Sequence, residues 1–327
     1  MLLLWADQPA RAQELRRFEF AEAHMGMRFK LTFYAADREL AHSAAKAAFA
    51  RIAELDQVMS DYKPDSELNG FIDGAPHAEP KPLSADLFGV LERSQRLAAD
   101  SGGAFDVTAA PVIRLWRRAR RQKELPDPAR LAEAQAAVGY RRLELDPVKK
   151  TGRLTKPGMR LDLGGIGAGV AVDAALAVLR EHGISRAMVD ASGDIGVGDP
   201  PPGARGWRIG LGPFDRQEGP PVRFVELANA ALTTSGDLWQ FLEIDGRRYS
   251  HIIDPRTGQP LTDRSTVTVI AADCTTADSV AKVVSVLGPG AGLEFIERMP
   301  GAAALFARIG DRGLEVFEST RFPPAAN

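Results

Sequence analysis

Residues 161–173, LDLGGIGAGVAVD, set four glycines between two carboxylates and run directly into a helical pattern. Gly164, Gly165, Gly167 and Gly169 remove side chains where a backbone bends sharply or approaches a ligand, and residues 170–182 then follow with helical periodicity. Backbone N–H groups at the start of such a helix favour an anion. The glycines fall as GGxGxG, which is neither the dinucleotide fingerprint GxGxxG nor a P-loop, since no Gly-Lys-Ser/Thr follows. Two readings follow: a ligand cradle, or a strand-to-helix turn whose glycines serve packing.

These residues need elements to position them. Residues 17–35 hold two alternating apolar runs split at His24-Met25-Gly26-Met27, which predicts two strands broken at a glycine. A long amphipathic helix is expected over 38–62, with Ala48, Phe49, Ile52, Leu55 and Met59 at helical spacing and Lys63-Pro64-Asp65-Ser66-Glu67 ending it. Ser66 is a candidate cap there, and Ser84 opens a second expected helix over 83–99 that closes at Ser101-Gly102-Gly103. Residues 104–116 start in a loop and run toward a helix. The basic run 114–123 is read as a solvated face, not a phosphate or RNA patch, because Pro126-Asp127-Pro128 follows it.

Residues 131–138 read as helix, 141–145 and 158–163 as strands, and 186–190 as a short strand before the tight acidic turn Ala191-Ser192-Gly193-Asp194. Proline and glycine crowd into 200–221, marking loops around a strand at 207–211. Asp245-Gly246 between the runs 239–244 and 248–253 is a hairpin signal, and Asp254-Pro255-Arg256-Thr257-Gly258 reads as a turn. A strand at 265–271, a helix over 276–287, a helix near 293–298 and strands at 302–307 and 314–317 complete the chain.

A length of 327 residues with 45% hydrophobic and 26% charged residues suits one large domain or two. Basic and acidic side chains nearly balance, 41 against 43, so no strong net field recruits nucleic acid or an anionic membrane. One cysteine, Cys274, excludes an internal disulfide and a thiolate-rich metal site, and leaves the redox compartment open. Met1-Leu2-Leu3-Leu4-Trp5 is too short to span a membrane, while Ala10-Arg11-Ala12 has the small-x-small form of a cleavage site. The expectation is an export signal cut after Ala12 and a periplasmic protein; an ordinary frayed terminus on a cytoplasmic protein is the alternative.

Several motifs now lie in a familiar order. Met25-Gly26-Met27, Met59-Ser60-Asp61-Tyr62, Pro64-Asp65-Ser66-Glu67-Leu68, SGGAFDVT at 101–108, residues 162–173, Gly193-Asp194-Ile195, Thr234-Ser235-Gly236-Asp237, YSHIIDPRTG at 249–258 and Ala277-Asp278 together resemble the ApbE family. Each is weak singly; their joint order and spacing carry the likeness. The resemblance implies an α+β fold, T-fold-like, with antiparallel sheets and packed helices in one domain over 17–320, an N-terminal segment 1–16 and a tail 321–327. It implies a flavin transferase that splits FAD, attaches FMN to a threonine of a target flavoprotein and releases AMP, with Mg²⁺ as the metal. Flavin and nucleotide contacts carry over to Met25, Tyr62, Ala104, Phe105, Asp106, Asp162, Ala168 and His251, and catalytic roles to His251 and Asp278. An imidazole that titrates near neutrality suits a general base or phosphate partner. Taken alone, His251 reads as a structural histidine, Tyr62 and Met25 as core, and Asp106 as a turn former.

Two departures stand out. The family cradle usually reads G-I-A-K-G-Y-A-V-D, with an alanine carbonyl on the metal and the lysine near the nucleotide; here those positions are Gly167 and Ala168. The other metal site usually reads A-D-A-x-x-T, and Asp278 is present while the threonine position is Lys282. An ammonium cannot ligate Mg²⁺. Lys282 either replaces metal and missing lysine as the positive charge on the FAD pyrophosphate, or turns away from a weakly held Mg²⁺; a surface pair with Asp278 is the plain alternative. The functions weighed are FMN transfer, FAD binding without transfer, and hydrolysis of FAD to FMN and AMP.

Overall fold

In the computed structural model, residues 14–326 are described; the expected cleavage after Ala12 lies outside them. β1 (Arg16–His24) and β2 (Met27–Ala35) pair antiparallel through a turn at Met25-Gly26, both at positive φ (52° and 72°), as a two-residue hairpin turn demands. The expected long helix is α1 (Arg38–Met59), capped by Asp37, whose carboxylate accepts from Leu40 N at 2.9 Å. It stops short of Tyr62 because Ser60 turns extended and its hydroxyl accepts from the amides of Tyr62 and Lys63, at 3.2 and 3.3 Å. Tyr62 is thereby thrown off the helix and left 74% exposed.

Ser66 caps α2 (Glu67–Ile72), accepting from Asn69 N at 3.1 Å, and β3 (Lys81–Pro82) leads to α3 (Ala85–Asp100), capped by Ser84 as expected. A 3₁₀ turn at Val107–Ala109 feeds α4 (Ala110–Gln122), followed by α5 (Pro128–Ala136), β4 (Leu143–Asp146) and β5 (Thr151–Leu154). Residues 158–163 are not the expected strand. Leu161 and Leu163 are buried there, but the Asp162 amide donates to the loop carbonyl of Val107 at 2.8 Å and no ladder forms.

The rest of the chain supplies α6 (Gly167–Glu181), β6 (Ala187–Ala191), β7 (Asp194–Val197), β8 (Trp207–Leu211), β9 (Arg223–Leu227), β10 (Ala230–Gly236), β11 (Phe241–Ile244), β12 (Arg247–Ser250), β13 (Ile253–Asp254), β14 (Gln259–Pro260), β15 (Arg264–Ala271), α7 (Cys274–Glu297), β16 (Ala303–Gly310) and β17 (Gly313–Glu318). Within α7 the path breaks at Gly288 (φ 75°, ψ 178°), just before Pro289, so this span holds the two expected C-terminal helices, joined at a kink.

The main sheet has eight strands in the order β1-β2-β6-β7-β10-β15-β16-β17, with every neighbouring pair antiparallel, as an α+β fold requires. Strand alternation sends Val267, Val269 and Ala271 to one face, where α1, α6 and α7 build the largest core. Leu232, Ile270 and Leu305 point to the other face and meet Trp207, Ile209 and Val225 of the β8–β9 hairpin. A third, smaller core joins α4 and α5 to the β11–β12 hairpin through Val112, Trp116, Leu242 and Ile253. Phe322, in the stretch expected as a tail, is 7% exposed and seats in the second core.

Among the described residues one helix, α7, is long and apolar enough to cross a membrane; half of its most apolar window is buried against the fold, where it packs on β10 and β15. Its first residue, Cys274, is fully buried, and burial pushes the thiol well above its usual pKa.

Candidate active site

The glycine-rich bend resolves into distinct roles. α6 starts at Gly167, three residues before the expected helix. A Cβ on Gly169 would sit 2.4 Å from the Cys274 carbonyl oxygen and 2.8 Å from Thr275 Cα, so this glycine lets α6 touch the start of α7. A Cβ on Gly167 would meet nothing within 4 Å. The packing reading therefore holds for Gly169, while Gly164, Gly165, Gly167 and Ala168 face a cleft of about 690 Å³, a volume usual for small-molecule sites.

The cleft gathers residues from distant parts of the chain. Met25 comes from the β1–β2 turn, Tyr62 from the loop after α1, Ala104, Phe105 and Asp106 from the loop before α4, and His251 from the end of the β11–β12 hairpin. Asp162, Gly167 and Ala168 come from the bend, and Lys282 reaches in from α7. Asp278 lies behind Lys282 and not on the wall, with 1% of its side chain exposed.

Asp278 is held from two sides. One carboxylate oxygen accepts from the Gly169 amide at 3.2 Å, in the first turn of α6, and the other pairs with the Lys282 ammonium one turn along α7. The lysine is not turned away: its stem lies 3.6 Å from where a Gly165 side chain would begin, and only 23% of it is exposed. Burial opposes its charge, but Asp278 and Asp194 outweigh burial and raise the Lys282 pKa. Asp194, at the start of β7, has its own pKa pushed up to about 7, first by burial and then by the Asp278 charge.

His251 is half-buried, and its Nδ1 lies 3.2 Å from the Gln240 carbonyl oxygen. A carbonyl only accepts, so Nδ1 carries the hydrogen and Nε2 keeps its lone pair. Burial pushes the imidazole pKa down to about 4, with Lys282 and Arg120 adding to the shift. The ring is therefore a neutral acceptor throughout the physiological range.

Asp106 lines the cleft with its carboxylate already occupied. It accepts from the Thr108 amide at 2.8 Å, the Thr108 hydroxyl at 2.7 Å and the Tyr140 amide at 2.8 Å, which is the turn-forming role. Asp162 accepts from the Gly164 amide at 2.8 Å, and burial raises its pKa against the opposing charge of Arg117. Tyr62 is not a core residue: its ring stands at the mouth with the Arg117 guanidinium 5.3 Å from its centroid, while Met25 is half-buried, packing against the main core and lining the cleft at once.

The basic run needs correction. Arg114, Arg118 and Arg121 are exposed, as expected of a solvated face, but Arg117 and Arg120 line the cleft. Arg117 bridges Asp61 and Asp162, 2.7 Å from each, and so ties the Tyr62 loop to the glycine bend. Arg120 has no hydrogen-bond or ion-pair partner among the described residues. A signal was present in the sequence: Ile113, Trp116, Arg117 and Arg120 fall at i, i+3, i+4 and i+7, one stripe of α4, and Trp116 anchors that stripe by donating to the Gly258 carbonyl at 2.9 Å.

With aromatic, apolar and cationic side chains around a neutral imidazole, the cleft suits a flat, apolar ring system joined to phosphate. Comparison with known proteins agrees. The ApbE family profile matches residues 25–306. The FAD:protein FMN transferase of Haemophilus influenzae is 33% identical over 279 residues, covering 84% of this chain and 80% of that protein, and that of Escherichia coli K12 is 30% identical over 78% of this chain and 74% of that protein. The solved flavin transferase ApbE of Vibrio cholerae superposes with a TM-score of 0.85 at 28% identity, covering 96% of this chain and all of that one; the flavinyl transferase ApbE of Pseudomonas stutzeri gives 0.82 at 28%, covering 94% and 95%. On family match, sequence identity and fold together, this chain belongs to the ApbE family.

Proposed function

We propose that this chain is an FAD:protein FMN transferase that joins FMN to a threonine hydroxyl of a target flavoprotein and releases AMP. The observation that carries the reading is the meeting of Met25, Tyr62, Phe105, His251 and Lys282 in one cleft, in a chain similar to the FAD:protein FMN transferases of Haemophilus influenzae and Escherichia coli. Tyr62 and Met25 supply flat and polarisable surface for the flavin. Lys282 and Arg120 face the diphosphate, whose charge must be balanced for a phosphoryl displacement.

In the reaction the threonine oxygen bonds to the FMN phosphorus as the bond from that phosphorus to the bridging oxygen breaks. AMP leaves with the bridging oxygen and its electron pair. The hydroxyl proton goes to a base, and His251 Nε2 offers a neutral acceptor on the cleft wall. Asp278 acts through Lys282, which it fixes in place.

The Mg²⁺ that family membership implies does not fit this donor set. Both oxygens of Asp278 already have donors, the Gly169 amide and the Lys282 ammonium, and an ammonium repels a divalent cation. The Gly167 carbonyl alone makes no site. An export signal cut after Ala12 would place the reaction outside the cytoplasm; N-terminal sequencing of the mature protein tests this, and an uncut product overturns it.

The test of function is incubation of purified protein with FAD and a target domain carrying an acceptor threonine, read by in-gel flavin fluorescence and nucleotide chromatography. Covalently fluorescent target with AMP in equal amount is the expected result. Free FMN and AMP without labelled target would mean hydrolysis, and intact bound FAD would mean a binding protein.

A further inference from the structure

We propose that Lys282 is a built-in cation for the FAD diphosphate, so that this chain binds FAD without a divalent metal. The inference rests on the FAD reading above and concerns what balances the ligand's charge. Three features of the geometry support it.

First, the ammonium is in the site and anchored. Lys282 lines the cleft beside the glycine bend, where Gly165 and Gly167 present no side chain to keep a phosphate from the backbone. Among the described residues its Nζ has one hydrogen-bond partner, Asp278, so two of its three N–H groups are left for phosphate oxygens.

Second, Asp278 holds the ammonium from the side away from the cleft. Asp278 sits behind Lys282, and its other oxygen accepts from Gly169 N at 3.2 Å at the positive end of α6. Asp278 and the buried Asp194 act on Lys282 from the protein side, and the ammonium lines the cleft on the ligand side.

Third, Ala168 brings no cation to the bend, and of the other cleft cations Lys63 is paired with Asp56 and Arg117 is held between Asp61 and Asp162, which leaves Lys282 beside the glycine bend and Arg120 without a partner among the described residues. After burial, Lys282 and then Arg120 lower the His251 pKa, as cations lining the same cleft do.

The experiment measures FAD affinity by flavin fluorescence, with protein stripped by EDTA and again with excess Mg²⁺, for the wild type, Lys282→Met and Lys282→Arg. Mn²⁺ electron paramagnetic resonance in the presence of FAD reports any bound divalent ion directly. The expected result is wild-type affinity unchanged by EDTA or Mg²⁺ and no protein-bound Mn²⁺ signal. Lys282→Met should bind about tenfold or more weaker, the loss of a charge-assisted contact, while Lys282→Arg keeps most of the affinity. Wild type that needs Mg²⁺ to bind FAD, or Lys282→Met that binds as tightly as wild type in EDTA, would overturn the proposal. The wild-type comparison needs no variant to fold. Folded wild type that binds no FAD under either condition would remove the FAD reading itself, and this proposal with it.

Discussion

At the scale of single residues, His251 shows how the site sets a proton's address. The unfolded chain binds that proton below about 6.5, the ordinary histidine value, whereas the folded site refuses it until about 4. Stability contributed by this group is therefore complete above about 6.5 and falls as pH drops toward 4, with no further loss below. Thermal melts should show wild type losing more between pH 7 and pH 4.5 than His251→Gln does; equal losses would contradict the assignment. Little of this was legible beforehand. YSHIIDPRTG shows a histidine beside a turn, but its neutrality comes first from burial in the folded cleft and then from Lys282 and Arg120, which lie 31 positions downstream and 131 upstream in sequence. Arg117 and Arg120 were hidden for a related reason: charge density along the chain describes the exposed Arg114, Arg118 and Arg121, while the helix period divides the run between solvent and ligand.

Elements were far easier to read, because their signals are local. Met25-Gly26 and Asp245-Gly246 both occupy positive φ at hairpin turns, and Ser66 and Ser84 each cap the helix they precede. The segment 158–163 failed because burial of Leu161 and Leu163 imitates a strand, while a strand also needs a partner that sequence does not supply. The glycines of the bend look alike in sequence and differ in structure. Gly169→Ala would drive a methyl into the α7 backbone at 2.4 Å, so the helices must part. A cost of about 1–3 kcal/mol is expected, with loss of the amide contact to Asp278. Gly167→Ala points into open space and should stay within about 0.5 kcal/mol of wild type. Urea denaturation of the two variants decides between them, and equal midpoints would refute the contrast.

Across the whole molecule, the cleft is bounded by two bodies with separate cores. The large core under α1, α6 and α7 carries the glycine bend and Lys282, while the small core of α4, α5 and β11–β12 carries Arg117, Arg120 and His251. A smaller core protects its backbone less, so amides of β11 and β12 should exchange with deuterium faster than those of β2 and β15. FAD held by both bodies should slow exchange at 104–122 and 239–253 together, by an amount set by ligand concentration over Kd. Slowing confined to the large body would show that the ligand does not reach across. This two-body arrangement could not be read from composition, since no linker separates the parts and the hairpin reaches α4 through tertiary packing of Val112, Trp116 and Ala119 on Leu242 and Tyr249.

The solitary sulfhydryl carries a practical consequence. Because Cys274 is sealed beneath the junction of α6 and α7 and held in its protonated form, the exterior is blank to maleimides and iodoacetamides. A spectroscopic probe attached through one new surface cysteine would report only from the chosen spot, and any background labelling of the unaltered protein would announce that those two helices had come apart.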